Sequence, residues 1–272
     1  MKGPSVDLSK GRLLVSDNHR FLQHENGEPF FYLGETAWEL FHRLSYREID
    51  DFLENRREKG FTVIQAVLLA EENGLITPSV NGEVPLQDLD PTRPNEAYFL
   101  FVDSVIDLAA SKGLYIGLLP TWGDKVEQRW GQGPVIFNEE NAYTYGQFLG
   151  KRYRDRPNLI WILGGDRGCK GNEGVWNAMA GGIRSADPNH LMTYHPMGSR
   201  SSSECFHQAE WLDFNMHQSG HSDRYIPNYR KIMADYALDP PKPCMDAEPI
   251  YESHPFGWNP KNSLRAVGDR TW

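Results

Sequence analysis

This chain has few cysteines, no basic excess and no long apolar run, and each shortage removes a class of protein. Cys169, Cys205 and Cys244 are odd in number, widely spaced and form no CxxC pair. Neither a disulfide framework nor a zinc site is expected, and the three read as buried or half-buried free thiols. Lys and Arg total 28 against 37 Asp and Glu, a formal charge of -9. Nucleic acid and anionic membranes select clustered cations, so neither is an expected partner. No stretch approaches the ~18 consecutive apolar residues of a membrane span. Met1-Lys2-Gly3-Pro4-Ser5 lacks the apolar stretch of a signal peptide. The expected location is therefore cytoplasmic, or periplasmic or secreted if a leader has been removed. No GxGxxG follows the first strand of the main domain, which counts against a dinucleotide-binding fold.

What is present is an alternation of strand and helix patterns over 272 residues, enough for one large α/β domain. Residues 1–28 read as an extension and hairpin, with Asn26-Gly27 as the turn signal. Strands are then expected at 30–34, 61–69, 114–119, 159–163, 191–195, 212–217 and 242–248. Helices are expected at 45–60, with Ser45 and Glu48 as a capping box, and at 96–112, 139–153, 172–186 and 227–236. Strands alternating with helices imply right-handed crossovers and a parallel sheet. Seven such units favour a (β/α)₈ barrel over residues 29–272. After Glu248 only 24 residues remain, with a helix start expected from Asn259, so the barrel is expected to lack its last strand. The long polar loop from Glu71 to Asn95 is expected to shape the site.

Two apolar runs stop abruptly at carboxylates: Leu159 to Asp166, and Pro243 to Glu248. Each suits a buried strand, and an unpaired buried charge at its end is too costly to be core filler. In a barrel, such strand ends meet at one mouth. Paired carboxylates flanking a bond are the apparatus of glycoside hydrolysis, one as proton donor and one facing the anomeric carbon. Asp166 and Glu248 are therefore the candidate catalytic pair. Asp246, two residues before Glu248, is expected to share its face of the strand and lie deeper. Other mouth positions carry Glu35, Trp38, Glu71, Glu72, Trp122, Asp124, His195, His217, Gln218, His221 and Tyr251. Trp38 and Trp122 are candidate stacking platforms for a sugar ring. Glu35, His195, His217, Gln218 and Tyr251 are candidate substrate ligands. Proton transfer plus carboxylate attack needs no cofactor and no metal, and the expected partner is a carbohydrate.

Four motifs carry a resemblance. Gly34-Glu35-Thr36-Ala37-Trp38-Glu39-Leu40-Phe41, Trp161-Ile162-Leu163-Gly164-Gly165-Asp166, the run from Asp187 to Pro196, and Glu248-Pro249 with Tyr251-Glu252 resemble the apiosidase-like glycoside hydrolases. These are family 140-like members of clan A, the (β/α)₈ retaining glycosidases, and the similarity spans roughly Leu13 to Glu252. The resemblance implies Asp166 as acid/base at the fourth strand and Glu248 as nucleophile at the seventh. The broader clan ends its fourth strand with Asn-Glu; here Gly165-Asp166 stands, and the shorter Asp requires a compensating backbone position. Two other readings fit fewer features. A metal-dependent barrel hydrolase would recruit His195, His217, His221 and Asp246 as ligands. A non-catalytic sugar-binding barrel would use the aromatics alone.

Overall fold

The computed structural model describes residues 3–222, 225–251 and 254–262. β1 (Leu13–Val15) pairs antiparallel with β2 (Leu22–His24), and the Asn26-Gly27 turn brings Pro29 back beside Gln23. Five strands then pair in parallel and in chain order: β3 (Gly34–Thr36), β4 (Val63–Val67), β5 (Tyr115–Leu119), β6 (Leu159–Arg167) and β7 (Met192–Pro196). After the two-residue β8 (Arg200–Ser201), β9 (Asn215–Gln218) and β10 (Cys244–Asp246) run parallel to each other. Asp213 N–H donates to Met192 O at 2.8 Å, and Thr193 Oγ1 donates to Phe214 O at 2.6 Å, which stitches β9 beside β7. The result is a barrel wall of seven parallel strands. β10 and β3 face each other across a cleft of about 900 Å³, bridged by Gln65 Nε2 donating to Ala247 O at 3.2 Å. Among the described residues no eighth strand lies between them.

Period-two alternation along each strand separates two apolar regions. Val63, Val67, Tyr115, Leu119, Ile160, Ile162 and Met216 point inward and fill the barrel. Ile64, Ala66, Ile116, Leu118, Trp161, Leu163, Met192 and Tyr194 point outward against the helices. The outer layer is built from α1 (Leu40–Arg43), α2 (Tyr46–Glu58), α3 (Glu96–Ser111), α4 (Glu139–Tyr153), α5 (Glu173–Ala186), α6 (Ser203–Phe206) and α7 (Asn228–Tyr236). The Ser45–Glu48 capping box forms at the start of α2. Val6, Leu13, Leu22 and Phe30 pack on Val63, Tyr115, Ile160 and Leu191, so the hairpin closes the floor of the barrel, opposite the mouth.

Two expectations are corrected. The first barrel strand forms at Gly34–Thr36 and not at 30–34, because Phe30 is drawn into the hairpin through its N–H to Leu22 O and its ring lies 5.2 Å from Tyr115. Cys169 and Cys205 are not free thiols but a disulfide, joining the loop after β6 to α6. They stand 36 residues apart, and only the barrel's winding makes the β6 and β7 mouths neighbours. Cys244 is a half-buried thiol, pushed up to about 11 by burial. The helix expected from Asn259 falls mostly outside the described residues, which include only the 3₁₀ turn Pro260–Asn262 of it; Glu252 and residues 263–272 lie outside them.

The disulfide closes a loop of 36 residues, for which chain entropy predicts about 4 kcal/mol of stabilisation. Cys205→Ser is expected to lower the melting temperature by about 10 °C in neutral buffer without reductant. Differential scanning calorimetry of the two proteins checks it; equal midpoints would mean the bridge contributes no constraint.

Candidate active site

At the C-terminal ends of the strands lies a cleft of about 760 Å³, and both Asp166 and Glu248 line it. Glu248 follows β10 and is almost fully buried. Its carboxylate is enclosed by four side chains from three directions. Gln218 Nε2 donates to Oε2 at 3.0 Å and His195 Nε2 lies 3.1 Å from the same oxygen. His221 Nε2 lies 3.0 Å from Oε1, which also accepts from the Tyr251 hydroxyl. Tyr251 is itself oriented by Trp38 Nε1–H, which donates to Oη at 2.9 Å. Burial alone would raise this carboxyl, but His195, His221 and Tyr251 outweigh it and hold Glu248 down at about 2. It is a preorganised anion.

Asp166 reaches the cleft by a backbone device. β6 follows β7 in register through Gly164, then slips before Arg167 meets Pro196. Gly164, Gly165 and Asp166 occupy positive φ of 91°, 114° and 55°. A Cβ on Gly164 would collide with the His195 carbonyl oxygen, and one on Gly165 would lie 2.9 Å from the Trp122 ring and from Gly123 N. The two glycines thus permit a bulge that lifts the short Asp side chain into the cleft. Trp130 Nε1–H donates to Asp166 Oδ2 at 3.1 Å. Burial raises the Asp166 carboxyl above the ordinary range, and the negative charge of Glu248 adds to it. His195, Trp130 and Arg167 oppose this without reversing it.

The remaining candidates divide. Gln218 and Tyr251 line the cleft and hold Glu248. Trp38 lines it, with its ring 4.9 Å from Trp122. Trp122 is buried beneath Trp38 and beside His195, as floor more than as open platform. His195 is wholly buried and touches Glu248, so it orients the carboxylate and is not placed to hold a sugar hydroxyl. Glu35 falls elsewhere. It pairs with Arg56 at 3.0 Å and lines the cleft between β3 and β10. His217 also falls elsewhere. Gln218 points inward, so His217 points outward, buried at the β9–α7 layer with its ring lowered by burial despite the nearby charge of Asp246.

Asp246 does not share a face with Glu248. The strand ends at Asp246, whose carboxylate accepts from Ser219 N–H at 3.1 Å and Asn228 Nδ2 at 3.3 Å. The period-two extrapolation fails because the chain leaves the ladder before Pro249. With His217 and Asp246 facing away, the four residues of the metal-ligand reading do not converge, and no group of three or more His, Cys, Asp or Glu among the described residues is arranged to hold a metal ion.

Several cleft residues escape the sequence reading. Trp130 lies in the Gln128–Gly133 loop and Trp258 follows Gly257; both are exposed and line the cleft. Trp258 lies 6.0 Å from His221, edge to face. An indole beside a glycine in a mouth loop is the only signal that could have found either. The loop bearing Trp130 is anchored by a fully buried ion pair. Lys125 Nζ donates to both Asp124 oxygens at 2.9 and 2.8 Å, and Asp124 Oδ2 accepts from Gly133 N–H at 2.9 Å.

The chain is similar to known glycoside hydrolases. Residues 16–270 match the family model described as "Apiosidase-like, catalytic domain". A crystal structure of a glycoside hydrolase family 5 protein from Bacteroides vulgatus superposes with a TM-score of 0.85 at 39% identity, covering 93% of this chain and 56% of that one. A second solved structure, a glycoside hydrolase, gives 0.86 at 38% identity, covering 95% and 61%. A rice protein (Oryza sativa subsp. japonica) named "Putative mannan endo-1,4-beta-mannosidase 9" is 25% identical over 221 residues, 70% of this chain and 52% of the relative. The chain therefore spans between half and two thirds of the length of these relatives.

Proposed function

The chain belongs to the apiosidase-like catalytic domain family, and from that footing we propose that it hydrolyses glycosidic bonds in a plant or bacterial polysaccharide or oligosaccharide with retention of anomeric configuration. One observation carries the reading: two carboxyls line one cleft in opposite settings, Glu248 enclosed by side chains that favour its anion and Asp166 raised by burial and by the charge of Glu248. In the first step Glu248 attacks the anomeric carbon, the glycosidic C–O bond breaks, and Asp166 gives its proton to the leaving oxygen. In the second, Asp166 as carboxylate takes a proton from water, the water oxygen attacks the anomeric carbon, and the Glu248 ester bond breaks. Trp38, Trp130 and Trp258 offer aromatic faces to the apolar face of a sugar ring. The likeness to a mannosidase-named relative and to family 5 structures supports mannans as well as pectic oligosaccharides in the substrate panel. The Cys169–Cys205 bridge supports an oxidising compartment, periplasmic or extracellular.

The test is a panel of pectic and hemicellulosic oligosaccharides followed by proton NMR of the first product, with the pH dependence of kcat/KM on the best substrate. The first product is expected to keep the substrate's anomeric configuration. Activity needs Glu248 ionised and Asp166 protonated. The acid limb therefore falls near pH 2, where Glu248 gains its proton. The basic limb follows loss of the Asp166 proton, above the ordinary carboxyl range because that group is raised. Inverted product, or activity still climbing above pH 8, would refute the assignment.

A further inference from the structure

Arg167 is almost completely buried behind the cleft wall. Its guanidinium stands between two carboxylates from different strand ends: Nη2 lies 3.9 Å from Glu71 Oε1, and Nη1 lies 3.9 Å from Asp166 Oδ2. It cannot swing toward either. Its N–H groups donate to the carbonyl oxygens of Glu127, Asp166 and Trp130, and the Trp130 ring lies 4.2 Å away. Glu71 is held as well, since its carbonyl oxygen accepts from Lys125 Nζ at 3.0 Å while its carboxylate lines the cleft. The Lys125 charge is taken by Asp124.

We propose that Glu71 is a positioning residue for the acid/base: its carboxylate offsets the charge of the fixed Arg167 guanidinium, so that the Asp166 carboxyl stays able to carry the leaving group's proton. This rests on the function proposed above. The charges facing the pair come from every neighbouring strand end: Asp124, Lys125 and Glu127 after β5, Arg167 beside Asp166, His195 on β7 and Glu248 after β10. Glu71 is itself raised, by burial first and then by the charges of Asp124 and Asp166, against Arg167 and Lys125. The Glu71 and Asp166 carboxyls thus face one fixed guanidinium from two strand ends. Removing the Glu71 charge leaves the fixed Arg167 charge less offset, which favours the Asp166 anion, so Asp166 loses its proton at lower pH.

The test follows the Asp166 side-chain carbon by ¹³C NMR in the full chain labelled at aspartate, the signal being identified by its loss in Asp166→Asn. Glu71→Gln is expected to move its titration to lower pH, while Glu71→Asp, which keeps the charge, stays nearer the wild type. On a substrate that the wild type turns over, kcat/KM of Glu71→Gln relative to wild type should fall by about fivefold from the acid to the basic limb, the effect of one screened unit charge. A merely structural role would lower the rate by one factor at all pH values. An unmoved Asp166 titration in a Glu71→Gln protein with native melting overturns the proposal. Should that variant not fold, Glu71→Ala removes the same charge and is read the same way. If Asp166 titration moves but no glycoside is cleaved by the wild type, the charge sharing stands and the glycosidase reading falls.

Discussion

Glu248→Gln lowers kcat by about 10⁴-fold or more on any glycoside the wild type cleaves, the scale of loss seen when a covalent nucleophile is removed. The amide cannot form the glycosyl ester, and its NH₂ group turns a donor toward residues that already donate. His195 and Gln218 meet one carboxylate oxygen, and His221 and Tyr251 the other. One of those pairs loses its acceptor, at a cost on the order of 1–3 kcal/mol. The decisive measurement is mass spectrometry with a 2-fluoro glycoside carrying an activated leaving group. Wild type is expected to gain the mass of one glycosyl unit on Glu248, and the variant none. Labelling of a different side chain, or a variant within tenfold of wild type, would remove Glu248 from its role.

Asp166→Ala is expected to show a dependence on leaving group. On unactivated oligosaccharides, whose leaving oxygen needs a proton, kcat/KM should fall by about 10³-fold, within the usual range for a general acid. A dinitrophenyl leaving group departs without help, so kcat/KM on that substrate should fall less than about tenfold. Deglycosylation then limits turnover, because the general base is also gone. Azide, a nucleophile that needs no base, should restore turnover and yield a glycosyl azide of retained configuration. Equal losses across leaving groups, with no azide rescue, would show that Asp166 acts only in binding.

The strand ends were legible because an apolar run that stops at a carboxylate has few physical explanations. Leu159 to Leu163 followed by Gly164-Gly165-Asp166, and Cys244 to Glu248, both lead to the same mouth, and both acids line its cleft. Helix starts were legible for a similar local reason, since the Ser45 side chain and Glu48 satisfy backbone groups within one turn. Facing was less legible. His217 and Gln218 are neighbours with equal polarity, and a period of two does not say which of them faces inward. Inward-pointing Gln218 reaches Glu248, which leaves His217 on the outer layer. Glu35, expected just past a strand ending at Gly34, is instead the middle residue of β3, and its partner Arg56 lies in the last turn of α2, away from the cleft.

Residue order alone therefore determined the alternation of strands and helices, the barrel that follows from it, and the two acids at its mouth. These depend on short-range terms: period, capping and the cost of an isolated charge. Tertiary structure decided everything that depends on the distance between remote segments. It joined Cys169 to Cys205, surrounded Glu248 with donors from β7, β9 and the loops beyond, brought Trp130 onto Asp166, and set Arg167 between Glu71 and Asp166. Coulomb and hydrogen-bond energies vary over a few ångströms, and separation along a chain carries no information at that scale until the chain is wound.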